Sequence, residues 1–307
     1  MKNWCRECKI IIANEEGKGI DLSMFKCVFK TYQADIRHPT EATITIYNLN
    51  LDTQNKILDK EFYHIQIIAG YRGRSGIIFT GQIMYTSTGK IDTDSYITIQ
   101  AIDSYIANTY TVVNQTLASG YTAKEMFDLI FKNSEKKGVK QGIIELGIDN
   151  IRMPRGRPEF GMYRDIMDNL AKKTNTVWYY DNHKINILPK DNHDKFMPEI
   201  LLTPETGLIG IPKRTINGGV NVRCLINPLI KRYALIKLIS SFNAEQQNLK
   251  IEGIKDQLSA IDINGQYRII NISYIGDTIG QDWYMDLICL SLNDNNFISK
   301  DLLLKGA

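Results

Sequence analysis

Four histidines and five cysteines, together with a few closely spaced carboxylates, are the residues of this chain with the most obvious chemistry. His38, His64, His183 and His193 are scattered. His64 sits inside an alternating apolar run and His183 in a polar turn, and neither has a nucleophile or metal partner nearby in sequence. Asp191-Asn192-His193-Asp194 offers oxygen and nitrogen ligands, but it follows Pro189 in a polar stretch of the kind any linker contains. Cys5-x-x-Cys8 is half of a zinc or redox motif, and no second Cys-x-x-Cys or His-x-His completes four ligands. Cys27, Cys224 and Cys289 lie in apolar segments, so the odd set is not a disulfide framework. The reading is therefore no metal and no cofactor.

Glu15-Glu16 and the pair Asp282 and Asp286 are the nearest candidates for acid–base work on a glycosidic bond. Their spacing does not set the carboxylate separation such hydrolysis needs, and a solvated face accounts for them. Gly-x-Ser-x-Gly, His-Glu-x-x-His and a phosphate loop are missing, and Gly70-Tyr71-Arg72-Gly73 has no Lys-Ser/Thr after it. No catalytic residue is assigned, and the chain is not expected to be an enzyme. One basic feature is concentrated: Arg152, Arg155 and Arg157 within a single loop, ahead of the aromatic run Trp178-Tyr179-Tyr180. Guanidinium groups with aromatics suit single-strand nucleic-acid grooves, and they suit protein interfaces equally. With 37 Lys+Arg against 34 Asp+Glu, a formal charge of +3 is small for a phosphate-gripping surface. Arg152, Arg155, Arg157, Trp178 and Tyr179 are accordingly expected to form a protein interface.

The elements that must carry these residues follow from length and periodicity. A chain of 307 residues with 43% hydrophobic content is about two domains' worth and can build a core in each. No apolar run approaches the ~18 residues of a membrane span. Charges occupy the place of a signal peptide's apolar region, so the chain is expected to stay in the cytoplasm where it is made. Residues 8–101 alternate with period two, as in Ala42-Thr43-Ile44-Thr45-Ile46-Tyr47, and predict short antiparallel strands of a sandwich or barrel. Leu51, Ile57 and Leu58 fall at helical spacing behind a capping Asn50 or Asp52, which predicts one short helix. Thr122-Ala123-Lys124-Glu125 is a capping box opening a helix that stops at Gly138. A second helix is predicted over 161–173, then a hairpin from Val177-Trp178-Tyr179-Tyr180 to Lys184-Ile185-Asn186-Ile187-Leu188. Strands return after the linker at 220–225, 235–240, 267–274 and 283–290. The expected divisions are 1–104, 105–190 and 191–307, mainly β with an α+β unit in the middle.

The two β regions share a layout of glycine, long strand, Gly/Asp turn, aromatic and long strand. It runs from Gly81-Gln82 to Tyr96-Ile97-Thr98-Ile99, and again from Gly265-Gln266 to Trp283-Tyr284-Met285. A duplicated barrel is the sharper reading of that similarity.

Three segments carry a resemblance to a known family. They are Ala42-Thr43-Ile44-Thr45-Ile46-Tyr47-Asn48-Leu49 running on to Ile78-Phe79-Thr80-Gly81-Gln82-Ile83; Gly207-Leu208-Ile209-Gly210-Ile211-Pro212 leading to Leu225-Ile226-Asn227-Pro228; and Gly265-Gln266-Tyr267-Arg268-Ile269 with Gly276-Asp277-Thr278 and Asp282-Trp283. In that order the sequence resembles the baseplate hub proteins of contractile phage tails, those of Mu-like and T4-like phages. It departs where the family commonly has a Pro-Gly turn after Asn-Pro, since Lys231-Arg232-Tyr233 stands there.

The resemblance implies two tail-tube-like antiparallel β-barrel domains flanking a small α+β domain. It further implies a homotrimer whose six similar units form a ring at the virion tail tip. A hexameric tail tube protein would meet one face and a trimeric central spike protein the other, with DNA only in transit and a tape-measure protein and other baseplate proteins as further partners. The edge strands at 25–32 or 62–69 of the first barrel and at 220–225 of the second are expected to join neighbouring chains. The alternative is a cell-wall-degrading or glycan-binding module of the tail tip.

Overall fold

The computed structural model describes residues 5–33, 38–147, 151–190, 198–214, 219–239 and 265–291. Alternation in the first third produces β1 (Arg6–Ala13), β2 (Gly19–Asp21), β3 (Cys27–Tyr32), β4 (Glu41–Tyr47), β5 (His64–Tyr71), β6 (Gly76–Ile91) and β7 (Asp94–Ile102). In β4, Ala42, Ile44 and Ile46 point into the core while Glu41 and Thr43 face outward, as a period of two requires. Helix α1 (Leu51–Leu58) starts where Asn50 accepts a hydrogen bond from the Thr53 amide at 2.7 Å, and it buries Ile57.

The middle of the chain gives α2 (Tyr105–Tyr110), β8 (Val112–Leu117), α3 (Ala123–Glu135), β9 (Lys140–Ile144), β10 (Arg157–Met162), α4 (Tyr163–Thr174), β11 (Thr176–Asp181) and β12 (Lys184–Pro189). Both halves of the capping box form: Thr122 Oγ1 accepts from the Glu125 amide at 3.2 Å, and the Glu125 carboxylate accepts from the Thr122 amide at 2.8 Å. A core of Phe127, Ile130, Tyr163, Met167, Trp178 and Ile185 lies between α3, α4 and the sheet β11-β12-β9. The ribbon of β8 and β10 was not expected. Arg157 and Pro158 belong to it, so the basic segment is a loop only as far as Gly156. Pro158 is tolerated because a two-stranded ribbon leaves every residue on an edge.

The last third forms β13 (Glu199–Leu202), β14 (Leu208–Arg214), β15 (Gly219–Cys224), β16 (Leu235–Leu238), β17 (Gln266–Asp277) and β18 (Trp283–Ser291). Its pairing path, β13-β16-β17-β18-β15-β14, matches β1-β5-β6-β7-β4-β3 in the first third. Leaving out the extra β2, both sets follow the same order of strands along the chain. The pattern differs once, for β13 runs parallel to β16 whereas β1 runs antiparallel to β5. A glycine–aromatic pair recurs across the long hairpins, Gly89 opposite Tyr96 and Gly276 opposite Trp283. Tyr96 is half-exposed and Trp283 buried, so the repeat holds for the strands and not for each side chain.

The two sets are fused. Val28, Phe29 and Lys30 of β3 pair antiparallel with Asp277, Gly276 and Ile275 of β17, making one hydrogen-bonded path over both. A single apolar core includes Ile10, Phe29 and Ile67 from one set and Val222, Tyr274 and Leu287 from the other. Among the described residues no ladder joins the two ends of either set.

Candidate functional site

Asp103, Ser104 and His183 come within hydrogen-bond distance of one another where the middle unit meets the first strand set, and the other side chains that converge join the three parts of the chain. At the head of β1, the Arg6 guanidinium donates to the carbonyl oxygens of Gly280 at 2.5 Å and Gln281 at 3.0 Å, and lies 5.6 Å above the Trp283 ring. Those carbonyls are presented by the β17–β18 turn. Asp277 Oδ1 shapes it by accepting from the amides of Ile279 and Gly280 at 2.9 and 2.7 Å. Thr278 completes the clamp, its amide donating to the Cys27 carbonyl at 3.0 Å and its hydroxyl accepting from the Cys27 amide at 2.9 Å. Arg6 thus links the head of β1 to the β17–β18 turn through the solvent-exposed edge of the contact.

At the other end of the seam sits Lys231-Arg232-Tyr233, the segment that departs from the family pattern. Tyr233 takes a positive φ of 63° and is buried against Tyr179, with ring centroids 5.0 Å apart. Arg232 bonds the Gln33 side chain and Thr40 Oγ1 of the first strand set, and its guanidinium lies 5.0 Å over the Tyr179 ring of the middle unit. Asn271 donates to the Gln33 carbonyl at 3.0 Å. One arginine therefore ties together all three parts of the chain.

The middle unit also docks on the first set. The turn between β11 and β12 places the His183 amide 2.9 Å from Asp103 Oδ1, and its Nδ1 3.0 Å from the same oxygen. His64 lies beyond, its ring 5.9 Å from that of His183. Burial, and then the neighbouring His183, hold the His64 pKa below its ordinary value.

The residues expected to form a protein interface are separated by the fold. Arg152 and Arg155 are exposed on a loop pinned by Met153, whose amide donates to the Tyr121 carbonyl at 2.8 Å. Arg157 pairs with the buried Glu159 at 2.7 Å. Trp178 is 5% exposed and donates to Asp168 at 2.7 Å, and Tyr179 is 4% exposed. Neither aromatic is presented to an external partner. They lie in β11, where Trp178 packs into the middle core and Tyr179 on Tyr233.

The other candidates disperse as well. Asp286 is held by Arg223 in a two-pronged contact at 2.7 and 2.9 Å, which removes it as a free acid. Glu16 pairs with Lys18 on the surface. Cys5 is exposed at the strand start, whereas burial pushes the Cys8 thiol up to about 12. Among the described residues no three His, Cys, Asp or Glu side chains come together to hold a metal. Asp191-Asn192-His193-Asp194 lies outside the described residues. No described helix is long and apolar enough to cross a membrane. Sequence reading missed Arg6, Gln33, Asp103 and Asn271; only Arg232 left a trace, as a departure from the family pattern.

No family model matches the chain. No curated protein matches it either. Solved structures do. A 43 kDa tail protein of prophage MuSo2 from Shewanella oneidensis is similar at a TM-score of 0.58 and 11% identity, over 93% of this chain and 97% of that one. The chain has the fold of a phage tail protein. A tail protein from Neisseria meningitidis MC58 is similar at 0.56 and 9% identity, over 95% of this chain and 98% of its own. An E. coli component of the type VI secretion system, described as structurally similar to the T4 tail proteins gp27 and gp5, is similar at 0.57 and 8% identity, covering 88% and 74%. This tail-protein fold runs through nearly the whole length of the first two, so the middle unit and both strand sets belong to it together.

Proposed function

We propose that this chain is a structural baseplate hub protein of a phage tail. In this reading three chains form a pseudo-sixfold ring that joins a hexameric tail tube to a trimeric central spike and lets DNA pass. The observation that carries it is the repeated strand order. A trimer can match a sixfold tube only if each chain offers two similar surfaces, and β13-β16-β17-β18-β15-β14 repeats β1-β5-β6-β7-β4-β3. The likeness to tail proteins supports the same assignment. The junction built on Arg6 and Arg232 suits a part that transmits load, since it locks the two repeats of a chain to each other. Residues 1–104 and 191–307 are the two tube-like domains of this reading and 105–190 the domain beside them. Its partners are a tube protein, a spike protein and a tape-measure protein, at the virion tail tip.

End-on electron microscopy of the purified assembly tests this. Six similar lobes around an open bore support the ring, and particles without threefold or sixfold averages overturn it.

A further inference from the structure

The strands expected to join neighbouring chains already have partners along both edges. β3 is paired on both edges by β4 and β17, β5 by β1 and β6, and β15 by β14 and β18. Among the described residues other edges are left unpaired, and the repeat shows how they fit. In the second set the outer edge of β17 is shared, with β16 covering residues 266–268 and β3 covering 275–277. In the first set β5 covers the outer edge of β6 only from Gly76 to Gln82, and the last bond on that side runs from the Ile83 amide to the Tyr63 carbonyl. Over residues 84–91 no described strand takes the place that β3 takes on β17.

Burial follows the same asymmetry. Tyr274 and Gly276, where β3 docks, are buried, whereas their counterparts Ser87 and Gly89 are only partly buried, and Met84 and Tyr85 earlier on the same open edge are 43% and 56% exposed. Cys27, Phe29 and Thr31 of β3 are buried, whereas Ile209 and Ile211 of its counterpart β14 are 36% and 41% exposed. β14 is also the terminal strand of the path. We propose that β14 of one copy of this chain docks antiparallel on the outer edge of β6 over residues 84–91 of the next, repeating between chains the β3–β17 seam within one. This rests on the ring reading above and names its interface.

The contact is head-to-tail, so it closes into a ring when the rotation between the repeats is carried from chain to chain. Gly210, at a φ of +68°, and Pro212 break the β14 ladder between Ile209 and Lys213. They limit the pairing to a short ladder, like the three pairs of β3 with β17, and guard the edge against extended pairing.

Light scattering on three variants tests the proposal, with circular dichroism melts showing that each is folded: Tyr85→Asp, Ile211→Asp, and Phe160→Asp on the exposed face of the β8–β10 ribbon. Tyr85→Asp and Ile211→Asp should each fall from the parent mass to that of one chain, 35.1 kDa, while Phe160→Asp keeps the parent mass. Mixing the first two should give pairs of about 70 kDa, twice 35.1 kDa, because one intact β14 then meets one intact β6 and the ends stay blocked. A trimeric parent whose mass survives both substitutions, or a mixture that stays at one chain, overturns this interface and leaves the ring standing. A monomeric parent overturns the ring reading, and the interface with it.

Discussion

Phe29 lies flat against Gly276 across the seam between the two strand sets: a methyl group at 276 would fall inside contact distance of its ring. The same ring meets Trp283 edge-on, with centroids 5.6 Å apart. The glycine is thus required by the phenylalanine opposite it, and the pair lets β3 close onto β17. Gly276→Ala should destabilise the chain by about 1–3 kcal/mol through overpacking, read as a lower urea midpoint. An unchanged midpoint would mean that the seam opens freely.

Arg232 and Tyr179 should be energetically coupled. Arg232→Met and Tyr179→Leu each remove the guanidinium–ring contact, so the double variant should lose less than the sum of the singles, by about 1 kcal/mol. Strict additivity in urea unfolding would show that the contact contributes nothing.

The basic segment should behave as two different things. Arg152→Ser and Arg155→Ser should leave stability within about 0.5 kcal/mol, since both side chains are exposed. Arg157→Ser should cost about 1–3 kcal/mol because it strands the Glu159 carboxylate, itself 4% exposed. If the expected interface at Arg152 and Arg155 is used in assembly, the first two changes weaken assembly without lowering the melting temperature.

How much of this was legible in the sequence depends on the distance over which each feature acts. The Asn50 cap and the Thr122/Glu125 box act within three residues, and both could be read directly. So could the strand repeat, because alternation and turn glycines are local. β10 was not legible: Pro158 and Gly161 argue against a strand, and only its pairing with β8 makes it one. Trp178 and Tyr179 looked like one aromatic cluster because they are adjacent, yet neighbouring residues of a strand face opposite ways. Each found its own buried setting. Arg6 and Arg232 act across most of the chain, and no local pattern marks such a residue.

Acid should loosen the contact between the middle unit and the first set. His64 has its pKa lowered below 6.5 by burial and by His183, with Glu15 opposing, so the unfolded chain takes up this proton more readily than the folded one. Its contribution to stability is therefore full above about pH 6.5 and is lost as pH falls through the lowered value. Urea midpoints should fall between pH 7.5 and 5, and His64→Gln should flatten that slope. An identical slope in the variant would remove His64 from the account.

The central claim is that two repeats per chain build a ring from three chains, and the mass of the unmodified protein in solution tests it most directly. Light scattering should give about 105 kDa, three times 35.1 kDa. A species that remains at 35.1 kDa up to the highest soluble concentration would contradict it.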